Sequence, residues 1–326
     1  MKAKKLIPLL VLMIGFSAFG GCTNADQKIS FSNYWNQDST ATAEAINETL
    51  TYDVTFDAAT ASLVDYKLNY TDGKYTTNLV SATEDGKTVY TYKTELNITA
   101  HYDLNGAVYS STDVVISTVK FFAGEYGLQP ISSEKEIKAS SPTASYATLE
   151  DCYLVYHYAL KVDYNADGSA GTSTVTQYSL TDPSAQPISK EKNFDIDQKK
   201  FSYLDNEQLL FALRGVKNST TSAKFLVYSP FIAAVQKVSC SFSTEASAEF
   251  SFHKNGSEEK VKSTITYRPV KVVLDEQNPG ATQTAWIAKT TTPTNNTNRN
   301  VMLRLETPLS YGLGTMIYTL NSVSYQ

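Results

Sequence analysis

The sequence is poorest in the residues that most often carry chemistry. Its 326 residues include three histidines (His101, His157 and His253), three cysteines (Cys22, Cys152 and Cys240) and four arginines (Arg214, Arg268, Arg299 and Arg304). The histidines lie far apart, and neither His-Glu-x-x-His nor Cys-x-x-Cys occurs, so no zinc motif is spelled out. A Gly-x-Ser-x-Gly elbow and both glycine-rich phosphate loops are also missing. Lysines are interspersed with acids and form no basic stripe, which argues against nucleic acid as a partner. No catalytic residue, metal site or cofactor is implied. Near the N-terminus an apolar run, residues 6–19, has 14 residues, short of the roughly 20 that span a bilayer.

That run belongs to an address. Lys2, Lys4 and Lys5 precede it, and Phe19-Gly20-Gly21-Cys22 closes it. A basic start, a short apolar stretch and small residues before a cleavage point describe a secretory signal. The closing residues resemble a lipobox, in which the cysteine thiol receives diacylglycerol bearing palmitate-type chains, and the chain is cut just before it. Phe19 stands where that motif usually has leucine. The resemblance implies a signal peptide over 1–22, lipidation at Cys22 and a lipoprotein anchored at the extracytoplasmic face of the cell membrane. Residues 23–48, rich in Ser, Thr, Asn and Ala, read as a tether, with 41–50 as a weak helix candidate. Loss of three lysines with the signal takes the formal charge from −5 to −8. Such a body gains nothing from lying flat on an anionic membrane. Cys152 and Cys240 remain as a candidate disulfide, which an oxidising compartment permits. Closing a loop of about 90 residues would add roughly 4 kcal/mol in the chain-entropy model. Two separately buried thiols are the favoured alternative.

The body alternates with period two, the mark of half-buried strands. In residues 88–102, Tyr90, Tyr92, Leu96, Ile98, Ala100 and Tyr102 share one face, against Lys93, Glu95, Asn97, Thr99 and His101. Cys152, Leu154, Tyr156, Tyr158, Leu160, Val162 and Tyr164 repeat the pattern. Asp72-Gly73, Asp85-Gly86, Asn105-Gly106, Asp167-Gly168 and Asn255-Gly256 supply the positive φ angles of tight hairpins. These signals predict a mainly β chain built as two antiparallel sandwich-like domains, 49–140 and 145–326, parted at Ser140-Ser141-Pro142-Thr143. One short helix is expected at 205–214, opened by Asp205 with Gln208 three residues on and stopped at Gly215.

The remaining motifs weigh little. Asp163, Asn165 and Asp167 resemble the start of an EF-hand loop, but Thr174 stands where a bidentate Glu is required. Ser-x-x-Lys occurs at Ser132/Lys135, Ser117/Lys120, Ser189/Lys192, Ser251/Lys254 and Ser257/Lys260, without the companion elements of penicillin-recognising enzymes. Gln129-Pro130-Ile131-Ser132 reappears as Gln186-Pro187-Ile188-Ser189. Tyrosine is abundant, with 22 residues, most of them on apolar strand phases, where packing accounts for them. Tyr153 and Trp286 are the candidate exposed aromatics for binding. The expectation is a non-enzymatic, membrane-anchored lipoprotein of the cell surface, acting as a binding or structural module for a glycan or an envelope protein. A secreted hydrolase whose carboxylates or histidines meet only in space is the first alternative. An accessory subunit of an envelope complex is the second.

Overall fold

Alternating residues and turn dipeptides fold the described residues mainly into strands. The computed structural model describes residues 46–59, 66–124, 127–196, 202–217, 220–274, 282–289 and 299–325. Cys22, the signal segment, the tether up to residue 45 and the loop 290–298 lie outside them. Among the described residues there are sixteen strands. They are β1 (Asn47–Ala58), β2 (Tyr66–Glu84), β3 (Lys87–Leu104), β4 (Ala107–Gly124), β5 (Gly127–Pro142), β6 (Tyr153–Tyr164), β7 (Ala170–Gln177) and β8 (Ile188–Asp195), followed by β9 (Ser202–Asp205) and β10 (Ser222–Ser229). The last six are β11 (Ala234–Phe242), β12 (Ala246–Lys254), β13 (Lys260–Val273), β14 (Gln283–Ala288), β15 (Met302–Pro308) and β16 (Gly314–Tyr325). No helix among the described residues is long and apolar enough to cross a membrane.

All sixteen strands join one sheet, in the order β8-β7-β6-β5-β4-β3-β2-β1-β16-β15-β14-β13-β11-β10-β9. β12 pairs antiparallel with β13 and, through His253 and Lys254, parallel with β16. The circuit β12-β13-β14-β15-β16 is therefore closed, a five-stranded barrel from which the other strands extend. The sheet also curls back on itself. β9, at one end of its path, is parallel to β10, and its Asp205 accepts hydrogen bonds from Ser133 of β5 and Tyr164 of β6.

The expected division into two sandwich-like domains has no counterpart in the strand pairing. β5 and β6, which flank it, are hydrogen-bonded neighbours from Ser132↔Asp163 to Pro142↔Tyr153. Strand length explains why. β3 and β4 have 18 residues each, roughly 60 Å at ~3.4 Å per residue. One strand thus runs through both major core clusters. β3 places Tyr90 and Tyr92 in the first and Leu96, Ile98, Ala100 and Tyr102 in the second. β1 places Leu50 and Tyr52 in the first and Val54 in the second. Ile46 and Glu48, at the end of the expected tether, are buried where β1 begins.

Two turn dipeptides close two-residue hairpins: Asp85-Gly86 between β2 and β3, and Asn105-Gly106 between β3 and β4. Asn255-Gly256 turns β12 into β13, and Gly168, with φ 70°, lies in the β6–β7 turn. Asp72-Gly73 differs: it sits inside β2, where the pairing with β3 shifts register between Thr71 and Lys74. It is a bulge. The expected helix is three short turns, 3₁₀ over Asn206–Gln208, α over Leu209–Ala212 and 3₁₀ over Leu213–Gly215. Its capping box is formed: Asp205 Oδ1 accepts from Glu207 N at 2.8 Å and Gln208 Oε1 from Asp205 N at 3.0 Å. This segment is the plug of the sheet, with Leu209, Phe211, Ala212 and Leu213 buried in the first cluster. The candidate disulfide is not formed. Cys152 and Cys240 are free buried thiols in different clusters.

Candidate functional site

Where the two core clusters meet, the packing opens into a cavity of about 90 Å³. Three layers contribute to it. The inward phases of β2 to β4 bring Tyr75, Tyr92, Thr94, Leu96 and Val115. β14 to β16 bring Gln283, Leu305, Thr307, Met316 and Tyr318 from the opposite wall, and the plug brings Asn206, Glu207 and Leu210. Most of this lining is apolar or aromatic, with a few polar groups, the usual make-up of a small-molecule pocket. Burial pushes the Tyr92 and Tyr318 hydroxyls up to about 12, so both stay protonated.

Lys135 also reaches the cavity, and its phase carries the reason. On β5, Glu134, Glu136 and Lys138 are exposed, while Ser133, Lys135, Ile137 and Ala139 are buried. Lys135 is therefore an inward-facing lysine. Its Nζ lies 3.0 and 3.1 Å from the two carboxylate oxygens of Glu207. Burial by itself would raise Glu207, but Lys135, with hydrogen bonds from Asn206 and Ser117, outweighs it and holds the carboxyl below its ordinary range. Asp205, two residues earlier, goes the other way. Burial and repulsion from Glu207 push it up to about 6, against hydrogen bonds from Ser133, the Glu207 amide and Tyr164. A second buried pair fixes the far end of the plug. Arg214 Nη1 and Nη2 donate to Glu48 Oε1 and Oε2 at 2.6 and 2.9 Å.

Two acceptors in this lining have no partner among the described residues. They are Asn206 Oδ1 and Gln283 Oε1, both buried. Asn206 Nδ2 donates to Glu207 Oε1 at 2.8 Å, which fixes the amide and leaves its oxygen over. Buried acceptors are normally satisfied. Both oxygens are almost wholly enclosed by protein atoms. The charged groups are engaged with each other and with the plug: both Glu207 oxygens receive Lys135 Nζ, and Asp205 caps the plug.

The histidines, the calcium-loop residues and the exposed aromatics singled out on sequence lie elsewhere. His101 touches Thr71 and Ser110, His157 touches Glu136 and stacks on Tyr178, and His253 lies against Ser257 O. Asp163 pairs with Lys161, while Asn165 and Asp167 accept backbone bonds within the β6–β7 turn. No group of three or more His, Cys, Asp or Glu placed to hold a metal occurs among the described residues. Ser132 and Lys135 share a strand at odd spacing, so they face opposite sides of the sheet. Trp286 is half-buried, stacked on Tyr267 at 4.9 Å with Arg304 over its ring, and Tyr153 stacks on Tyr109 at 3.9 Å. A depression of about 430 Å³ crosses β4 to β7, with Ile116 and Ala159 in its lining. Asn206 and Gln283 escape sequence reasoning altogether. Lys135 stood out in the sequence only through the Ser132/Lys135 spacing.

No family model matches the chain, and no curated protein matches it. Among solved structures it is similar to a beta-barrel-like protein, a domain of unknown function DUF1849 from Brucella abortus. Sequence identity is 10% and the TM-score 0.45, over 86% of this chain and 98% of that one. At that level the likeness carries no argument about function.

Proposed function

We propose that this chain is an exported lipoprotein, held through Cys22 at the extracytoplasmic face of the cell membrane, that binds a small molecule inside its folded body without converting it. One observation carries the reading. A cavity between the two core clusters is lined mostly by apolar and aromatic side chains. Convergence of Asp205 and Glu207 is the one feature that favours the hydrolase alternative. Both carboxyls are engaged in holding the plug, however, so neither is left over as acid or base. The glycan and envelope-protein partners remain the alternatives for a ligand too large for the cavity.

The test uses the full-length chain in mild detergent with toluene as an apolar probe. Toluene raises the melting temperature of the wild type, and it does nothing for Thr307→Phe, which fills the cavity. Equal shifts in both proteins, or none in either, would remove the cavity from the account. The anchor is tested separately: Cys22→Ser moves the protein from the membrane fraction to the soluble one, and a variant that still pellets contradicts the anchor.

A further inference from the structure

The depression across β4 to β7 has a size that the inner cavity lacks. Its volume of about 430 Å³ falls inside the ~300–1,000 Å³ usual for pockets that hold small molecules. We infer that it binds a neutral saccharide of about two rings, a second site that does not rest on the cavity reading above. Strand register builds it in rows, with one residue from each of the four strands. In one row Thr118 pairs with Glu134, Glu134 with Lys161 and Lys161 with Thr174. The next row carries Ile116 and Ala159 on either side of Glu136. All of these line the depression. Neighbouring strands lie ~4.8 Å apart, so a row of four is roughly 14 Å long. Ala159 accounts for the hollow, since its methyl group stands between the longer side chains of Glu136 and Thr176.

The groups in the lining set the class of ligand. Both of its lysines are engaged, Lys135 by Glu207 and Lys161 by Asp163, so an anion meets no free cation. The Glu134 carboxylate has no hydrogen bond or ion pair among the described residues, although Lys161 feels its charge. The Thr118 and Thr174 hydroxyls have no hydrogen bond there either. Glu134 is exposed, and an exposed ion pair adds little, so charge alone does not select a cation. Carbon and hydroxyls side by side do select. Ile116 and Ala159, both half-buried, meet the C–H face of a sugar ring. Glu134 accepts from its hydroxyls, and Thr118 and Thr174 can donate or accept. The Glu136 wall is held in place: its Oε1 accepts from His157 Nε2 at 2.9 Å, and His157 stacks on Tyr178.

Titration calorimetry on the full-length chain tests this, in a detergent whose headgroup is not a sugar. The probes are cellobiose, a neutral disaccharide, and spermidine, a cation. Cellobiose binds the wild type saturably and more tightly than spermidine does. Thr118→Val combined with Thr174→Val keeps the shape, removes both hydroxyls and weakens cellobiose about tenfold. Ala159→Trp fills the hollow and abolishes binding, while the toluene shift that reports the inner cavity is retained. The double valine variant decides alone should Ala159→Trp fail to fold. Absence of saturable cellobiose binding overturns the inference. Tighter binding of spermidine overturns it too, and makes the depression a cation site. Equal cellobiose affinity in the wild type and the valine variant overturns the assignment to these residues.

Discussion

Asp113 shows how one buried side chain can finish a strand pairing. The β4–β5 ladder ends at Val114↔Lys138. Beyond it the Asp113 carboxylate accepts from Ser140 N at 2.9 Å, from Ser140 Oγ and from Ser111 Oγ. Burial nevertheless outweighs these bonds and pushes Asp113 up to about 6 from 3.8. With its folded pKa above its unfolded one, this group favours the fold fully below about pH 4 and loses that contribution as pH rises through about 6. Asp113→Asn removes the dependence. The difference in unfolding free energy between wild type and variant should change by about 2 kcal/mol between pH 7 and pH 4, with the wild type gaining on acidification. Urea titrations at the two pH values measure it, and parallel curves would contradict the assignment. The Glu48–Arg214 pair behaves differently. Arg214→Met strands a carboxylate that is 1% exposed and should cost about 3–5 kcal/mol, most of it recovered when Glu48→Leu is added. A double variant as weak as the single one would refute that. Neither partnership was legible in the sequence, since Glu48 and Arg214 stand 166 residues apart.

At the scale of elements, alternation located the strands well because one face of the sheet is buried and the other wet. Tyr90, Tyr92, Leu96, Ile98, Ala100 and Tyr102 are all buried, as the pattern requires. Asp72-Gly73 misled because hairpins and bulges both use residues with positive φ. Asp72 has φ 55°. The distinguishing signal is the change of phase across it: Tyr66, Leu68 and Tyr70 point inward before the bulge, and Tyr75, Thr77 and Leu79 after it. One inserted residue does this. A Cβ on Gly73 would stand 2.3 Å from Val54 O, so Gly73→Ala should destabilise the fold by about 1–3 kcal/mol through overpacking. Chemical denaturation checks it, and a neutral substitution would show that the bulge has room. The plug's start was legible from Asp205 and Gln208. Its docking was not, because Ser133 and Lys135 lie 72 residues from their partners Asp205 and Glu207.

For the whole molecule, the expected division into two domains meets a continuous sheet. A break in apolar alternation near residue 143 reads as a linker, yet it is the turn between two strands of one sheet. Strands that pass through both core clusters tie those clusters into one unit. Hydrogen exchange should therefore report the same opening free energy for the Tyr90–Tyr92 end of β3 as for its Ile98–Tyr102 end, and well-separated values would restore two units. The cavity at the junction of the clusters left no mark on the sequence, since it arises where β2 to β5, β14 to β16 and the plug fail to fill the space between them. Its occupation by a ligand is the centre of this account. Methyl NMR of methionine-labelled full-length chain tests it directly, because Met316 lines the cavity and Met302 is buried away from its lining. Addition of toluene should shift the Met316 methyl resonance in a saturable way and leave Met302 in place. An unmoved Met316, or equal drift of both signals, would contradict it.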